Sequence, residues 1–236
     1  EKALEYFLKS LAIFQELDLK REIAVALGNI GVIYHNQSNY EKALEYYFKI
    51  SEIYKETDDK ITFGLFYNNI GMVYEEQGNY DKALEYYAKS LVIREELGDK
   101  KAMGSCYNNI GIIYEELGNN EKALEYYSKS LAIFEEIGDK KGMGASYNNI
   151  GIIYDDQGNW EKALEYYSKS LMINEELGDK KGMVDPYNNI GIIYKEQGNY
   201  EKALEYHLKG LAIDKEIGDK KGIFVSKRNF INFFGT

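Results

Sequence analysis

The chain has 236 residues, a formal net charge of −10 and a single proline, Pro186. The acidic balance argues against a nucleic-acid partner, because counterion release needs a basic face, and the lack of any apolar run of about 18 residues argues against a membrane span. The lone cysteine, Cys106, has no partner for an internal disulfide, which fits a reducing, cytoplasmic setting.

A step of 40 residues organises the chain. Glycines fall at Gly31, Gly71, Gly111, Gly151 and Gly191, inside a stretch that reads Tyr-Asn-Asn-Ile-Gly in four of the five copies. A second stretch, Glu-Lys-Ala-Leu-Glu-Tyr, opens at Glu1, Glu41, Glu121, Glu161 and Glu201, with Asp81 leading the third copy. A fixed period of this size marks stacked repeats, each burying its apolar face only against its neighbours. The expectation is one all-α solenoid, with units starting near 1, 41, 81, 121, 161 and 201.

Each unit predicts two amphipathic helices. The chain opens on the second type, with Ala3, Leu4 and Phe7 on its apolar side. The middle copies show both types most clearly. Tyr147, Ile150, Gly151 and Tyr154 lie at i, i+3, i+4 and i+7, one face of a helix. A mid-helix glycine costs about 1 kcal/mol against alanine, so Gly151 predicts close approach of a partner helix. Gly158 then suits a left-handed cap, and Asn159 an N-cap. The following helix is expected to bury Ala163, Leu164, Tyr167, Ser170 and Leu171, and to end at Gly178 with Asp179 capping the next. The Gly-Asp pair is eroded to Asp18-Leu19 and Asp58-Asp59 in the first two junctions, which predicts less regular turns there. Asp185-Pro186 interrupts a helix, and a kink or a restart capped by Asp185 is expected. The last segment, 222–236, reads as a degenerate terminal helix.

The pattern Tyr147-x-x-Ile150-Gly151-x-x-Tyr154, then Gly158, Trp160, Ala163 and Tyr167, resembles the tetratricopeptide repeat over essentially the whole chain. It departs from that family in its longer unit and in the missing late proline. The long unit is similar to the repeats of kinesin light chains, spindle-orientation adaptors and bacterial regulators. The resemblance implies a right-handed superhelical solenoid of about six helix-turn-helix repeats. It also implies a concave groove, lined by the first helix of each unit, that holds a peptide or partner domain.

With Tyr147, Ile150 and Tyr154 facing the core, the inward positions form columns. One runs through Asn29, Asn69, Asn109, Asn149 and Asn189, trailed by Asn229; beside it run Asn68, Asn108, Asn148 and Asn188. Asparagine is a mediocre helix former, so paired asparagines in mid-helix need a reason. One reading is a ladder of amides that bonds an extended peptide backbone; the other is that one Asn per unit ties neighbouring helices together. Further along come the acids Glu75, Glu76, Glu115, Glu116, Asp155, Asp156 and Glu196, interrupted by His35-Asn36 and Lys195. They suit a partner with a basic segment, or make a solvated acidic face.

No catalytic constellation is present, and no cofactor is implied. The Gly138-to-Gly144 junction lacks the Gly-Lys-Ser/Thr ending of a phosphate loop. The pairs at Lys100-Lys101, Lys140-Lys141, Lys180-Lys181 and Lys220-Lys221 read as a solvated edge pairing with nearby Glu. His35 stands alone on the predicted groove, His207 replaces a buried tyrosine, and neither has a metal-ligand partner at the usual spacing. Cys106 reads as a small buried residue. Most of the 23 tyrosines sit at core spacing and read as packing. The chain therefore reads as an interaction scaffold. Two further readings stay open: a head-to-tail array joined through Ala3, Leu4 and Phe7 against Phe230, Phe233 and Phe234, and a regulatory segment of a larger sensor or effector.

Overall fold

The computed structural model describes residues 2–57 and 60–224, without the side chains of 54–57. The segment 225–236, with Asn229, Phe230, Phe233 and Phe234 and most of the expected terminal helix, lies outside the described residues, as does the Asp58-Asp59 junction. Eleven complete helices run through the described residues: α1 Lys2–Glu16, α2 Lys20–Asn36, α3 Tyr40–Thr57, α4 Lys60–Glu76, α5 Tyr80–Leu97, α6 Lys100–Glu116, α7 Asn120–Ile137, α8 Lys140–Asp156, α9 Trp160–Leu177, α10 Lys180–Glu196 and α11 Tyr200–Ile217. The chain falls into two compact units, residues 1–113 and 114–236, divided inside α6.

The helix boundaries follow from local chemistry. Asn79, Asn119, Asn159 and Asn199 cap the second-type helices by accepting from the N–H groups of Lys82, Lys122, Lys162 and Lys202. Asp139 and Asp179 cap α8 and α10 from the N–H groups of Gly142 and Gly182, both at 3.1 Å. Each such cap contributes about 1 kcal/mol. The turns need a left-handed residue, and Gly158 and Gly178 supply it at φ +69° and +64°. In the first copy the same duty falls on Asp18 (φ 52°) and Ser38 (φ 57°), and Leu19 caps α2 with no side-chain bond. The erosion expected at Asp18-Leu19 is thus visible.

Within the first unit, α2 packs on α3 and α4 on α5; within the second, α8 packs on α9 and α10 on α11. Each hairpin closes over the recurrent glycine. A Cβ at Gly31, Gly71 or Gly151 would stand 2.4–2.6 Å from the ring of Tyr47, Tyr87 or Tyr167, rings that are buried to within 1%. The glycine therefore buys approach, as its helix-breaking tendency required. In the second unit, Ala163, Tyr167 and Leu171 of α9 share a core with Ile190 and Ile193 of α10.

Three details differ from the expectation. Ile153 is fully buried, whereas Tyr147, Tyr154 and Leu164 are half-buried at the rim. The reason is that α8 packs against α7, α9 and α10, so its apolar face is wider than one stripe. Tyr154 accordingly stacks on Tyr166 at 5.5 Å, and the Tyr147 hydroxyl reaches Glu135 at 3.0 Å. Secondly, α10 does not restart at Asp185. It runs through Pro186 from its cap at Asp179, and the Asn174 side chain donates to the carbonyl of Gly182 at 2.9 Å, the carbonyl that Pro186 has no N–H to satisfy. Thirdly, His35 is not alone, since its Nε2 lies 3.1 Å from Glu76 Oε2.

Candidate functional site

The first-type helices hold the predicted site residues at one register, and each compact unit presents its own set. In the first unit, Asn29, Asn68, Asn69, Asn108 and Asn109 are all half-buried. Asn109 Nδ2 donates to Asn68 Oδ1 at 3.1 Å, and Asn68 Nδ2 lies 3.5 Å from Met72 Sδ. In the second unit, Asn148, Asn149 and Asn189 are half-buried, and Asn189 Nδ2 donates to Asn148 Oδ1 at 3.4 Å. Asn188 is the exception. It is buried, with Oδ1 3.4 Å from His207 Nδ1. The asparagine of one copy thus ties to that of the copy before it. One such bond uses one of the four N–H donors and one of the four acceptor lone pairs of each amide pair.

The acids divide by position. The first of each pair, Glu75, Glu115 and Asp155, is half-buried, whereas Glu76, Glu116, Asp156 and Glu196 are exposed. Glu75 accepts from the Tyr87 hydroxyl and Glu115 from the Tyr127 hydroxyl at 2.6 Å. These carboxylates therefore anchor buried tyrosines as well as facing out. In the second unit they also crowd one another. Burial, with Glu196 and Asp156 beside it, pushes the Asp155 carboxyl up to about 6. Burial raises Glu115 too, against the Tyr127 hydrogen bond, with Asp156 and Glu116 adding to the rise. Ionised carboxylates held this close favour a cation brought by a partner.

Sequence reading missed two features of this face. One is a recess of about 210 Å³ in the second unit, lined by Lys141, Ala145, Asn148, Asn149, Asn174 and Asp179 among others. The other is a pocket of about 420 Å³ in the first unit, between the ends of α2 and α4, reached by His35, Tyr47, Asn69 and Glu76. The signal for the second was present: His35-Asn36 stands where the next copies carry Glu75-Glu76 and Glu115-Glu116. Tyr47 is 1% exposed and its hydroxyl has no hydrogen-bond partner among the described residues. A buried polar group left unsatisfied costs about 1–3 kcal/mol. Burial pushes this phenol up to about 12, so it stays a donor.

The remaining candidates are structural. Cys106 is a buried free thiol whose Sγ lies 3.4 Å from Ser90 Oγ, and burial raises it. His207 is buried, and burial with Lys195 nearby lowers it. Lys140 and Lys180 pair with Glu176 and Glu216 across neighbouring helices, as the edge reading expected. Among the described residues no group of three or more His, Cys, Asp or Glu is placed to hold a metal ion. No described helix is long and apolar enough to cross a membrane.

Ala3 is exposed, and Leu4 and Phe7 are half-buried, whereas Ala43, Ala83, Ala123, Ala163 and Ala203 are fully buried at the equivalent place.

No curated protein matches the sequence. Among solved structures the chain is similar to BtubC (BKLC) from P. vanneervenii, at 20% identity and a TM-score of 0.79, over 93% of this chain and 92% of that one. It is also similar to aspartyl phosphate phosphatase F from Bacillus subtilis, at 20% identity and a TM-score of 0.83, over 94% of this chain and 59% of that one. A third is the Rap conjugation gene regulator of the plasmid pLS20 in complex with the Phr* peptide, at 19% identity and a TM-score of 0.78, over 93% of this chain and 60% of that one. At these identities the likeness concerns the fold. The tetratricopeptide repeat model matches residues 1–56, 64–136 and 142–216, and with the recurrent glycine-over-tyrosine hairpins this places the chain in the tetratricopeptide repeat family.

Proposed function

We propose that the chain is a protein-interaction scaffold whose first-type helices hold an extended segment of a partner protein. The observation that carries this reading is the row of half-buried side-chain amides, Asn68, Asn69, Asn108 and Asn109 in the first unit and Asn148, Asn149 and Asn189 in the second, of which the bonds Asn109 to Asn68 and Asn189 to Asn148 tie neighbouring copies and use only part of the capacity. Each pair retains donors and acceptors at the half-buried face, at a spacing set by the repeat. Such a row bonds a peptide backbone with little regard for its side chains. The acids add selectivity. Asp155, Asp156, Glu115 and Glu196 raise one another's affinity for a positive charge, so a segment carrying Lys or Arg is preferred over the second unit. Of the similar structures, the pLS20 regulator was solved with a peptide, which agrees with this use of the fold. Catalysis forms no part of the reading.

The test is selection of short extended peptides from a display library, followed by affinity measurement on the Asn109→Ala/Asn149→Ala variant. The reading expects a loss of about tenfold or more, ~1.4 kcal/mol, and a steep fall in affinity with salt for Lys- or Arg-bearing peptides. Peptides that bind the variant as tightly as the parent would count against the amide rows.

A second reading would join the α1 face, on which Leu4 and Phe7 are half-buried, to a second copy in the heterologous manner that propagates. Sedimentation that shifts to larger species with concentration, and reverts in Phe7→Glu, would move self-assembly to the front. A single species at every concentration would remove it.

A further inference from the structure

The buried tyrosine of each second-type helix carries a hydroxyl that seeks an acceptor. Tyr87 gives its hydroxyl to Glu75, and Tyr127 gives its own to Glu115. The acceptor comes four residues after the hairpin glycine, Gly71 or Gly111. In the first copy the residue four places after Gly31 is His35. Tyr47 packs over Gly31 as Tyr87 packs over Gly71, and its hydroxyl meets no acceptor among the described residues. The pocket of about 420 Å³ opens at that place, lined among others by Val32, His35, Tyr47, Asn69, Met72 and Glu76. His35 Nε2 is buried there as well. It lies 3.1 Å from Glu76 Oε2 but lacks the alignment of a hydrogen bond.

We propose that this pocket binds a ligand carboxylate, which takes the position that Glu75 and Glu115 occupy from within the chain in later copies. One carboxylate oxygen accepts from the Tyr47 hydroxyl, and the other accepts from His35 when Nε2 carries a proton. Val32 and Met72 supply apolar walls for a short aliphatic stem. A carboxylate is favoured over a neutral amide for two reasons. The same tyrosine takes a carboxylate in two other copies, and hydrogen bonds to an ionised acceptor are roughly twice as strong as neutral ones. The exchange of Glu-Glu for His35-Asn36 also removes two negative charges from the place. Glu76 is the acid that remains on the wall, and it faces His35. The inference rests on the reading of the first-type helices as the ligand face, and adds to it an acidic group on the bound segment.

The two sources of a carboxylate are separated by small probes. N-acetyl-leucine presents a terminal carboxylate, N-acetylglutamate α-amide presents a side-chain carboxylate, and N-acetyl-leucinamide is neutral. Their titration is followed by NMR on the His35 ring nitrogens and the Met72 methyl. The expected result is a saturable shift with at least one carboxylate probe and about fivefold weaker binding of the neutral amide. Tyr47→Phe should weaken the carboxylate probe by about fivefold, the worth of one net hydrogen bond. His35→Glu should fill the place from within and abolish binding while the helical circular dichroism persists. Tyr127→Phe, whose parent hydroxyl already has Glu115, should bind like the parent. No saturable shift with either carboxylate, equal binding of the amide, or full affinity in Tyr47→Phe would each overturn the proposal. The probes are too short to bridge the asparagine rows, so failure here and failure of the peptide reading are separate results.

Discussion

Asn174 Nδ2 stands 2.9 Å from the carbonyl oxygen of Gly182, the group that Pro186 deprives of its helical donor. A proline inside a helix costs about 3 kcal/mol, part of it through that orphaned carbonyl. Here a side chain from α9 supplies the missing N–H. The same amide also donates to Ser170 O at 2.9 Å, so Asn174 is held in place by both helices.

A double-mutant cycle tests the link. Asn174→Ala should destabilise the chain by about 1–3 kcal/mol in the parent, because it leaves a buried acceptor unmade. In a Pro186→Ala background the helix regains its own N–H, and the same change should cost about 1 kcal/mol less. Equal penalties in denaturant unfolding of both backgrounds would show that Asn174 does not compensate Pro186.

Gly151→Ala separates packing from propensity. Helix propensity alone predicts a gain of about 1 kcal/mol. The new Cβ, however, would stand 2.6 Å from the Tyr167 ring, which has no room to withdraw. A net loss of about 1–3 kcal/mol is expected from overpacking. A raised melting temperature would contradict the close-approach account.

Asp155 predicts a pH dependence of unusual sign. Its folded carboxyl is raised to about 6, first by burial and then by Glu196 and Asp156, against about 3.9 for an unfolded Asp. Between those values the folded chain binds more protons than the unfolded one. Its contribution to stability is therefore unfavourable above about pH 6 and fades as pH falls toward 4. The two-unit shift would be worth ~3 kcal/mol in full, but the group is only half-buried, and screening leaves about 1 kcal/mol. Asp155→Asn should raise stability at pH 7 by that amount and match the parent near pH 4. A constant difference across the range would dismiss the effect.

The repeat, the caps at Asn159 and Asp179, and the close approach at Gly151 were legible because they recur at one step and each has a local cause. The continuity of α10 through Pro186, without a restart at Asp185, was not legible because the residue that tolerates the proline, Asn174, lies on another helix. The position of Asn174 is also unreadable from its copies: Arg94, Phe134 and Asp214 occupy it elsewhere, and all are buried. Each solves its own contact. Arg94, for instance, pairs with Asp99 at 3.0 Å. The asparagine columns were legible as columns. A tie between neighbouring helices was one of the two readings, and the bonds Asn109 to Asn68 and Asn189 to Asn148 bear it out; which amide of each copy makes it was not legible, since that depends on how α4 and α6, or α8 and α10, approach in space. The pocket beside Tyr47 was written in His35-Asn36, but it acquires meaning only beside the bonds that Tyr87 and Tyr127 make.

The central claim is that the asparagine faces hold a segment of another protein. The most direct measurement is affinity capture from the native lysate with the parent chain and with Asn109→Ala/Asn149→Ala side by side, each checked for the same helical content. The account predicts a partner retained by the parent, lost by the variant, and bound again as a synthetic peptide cut from its sequence. A partner retained equally by both chains, or capture of this chain's own copies alone, would contradict it.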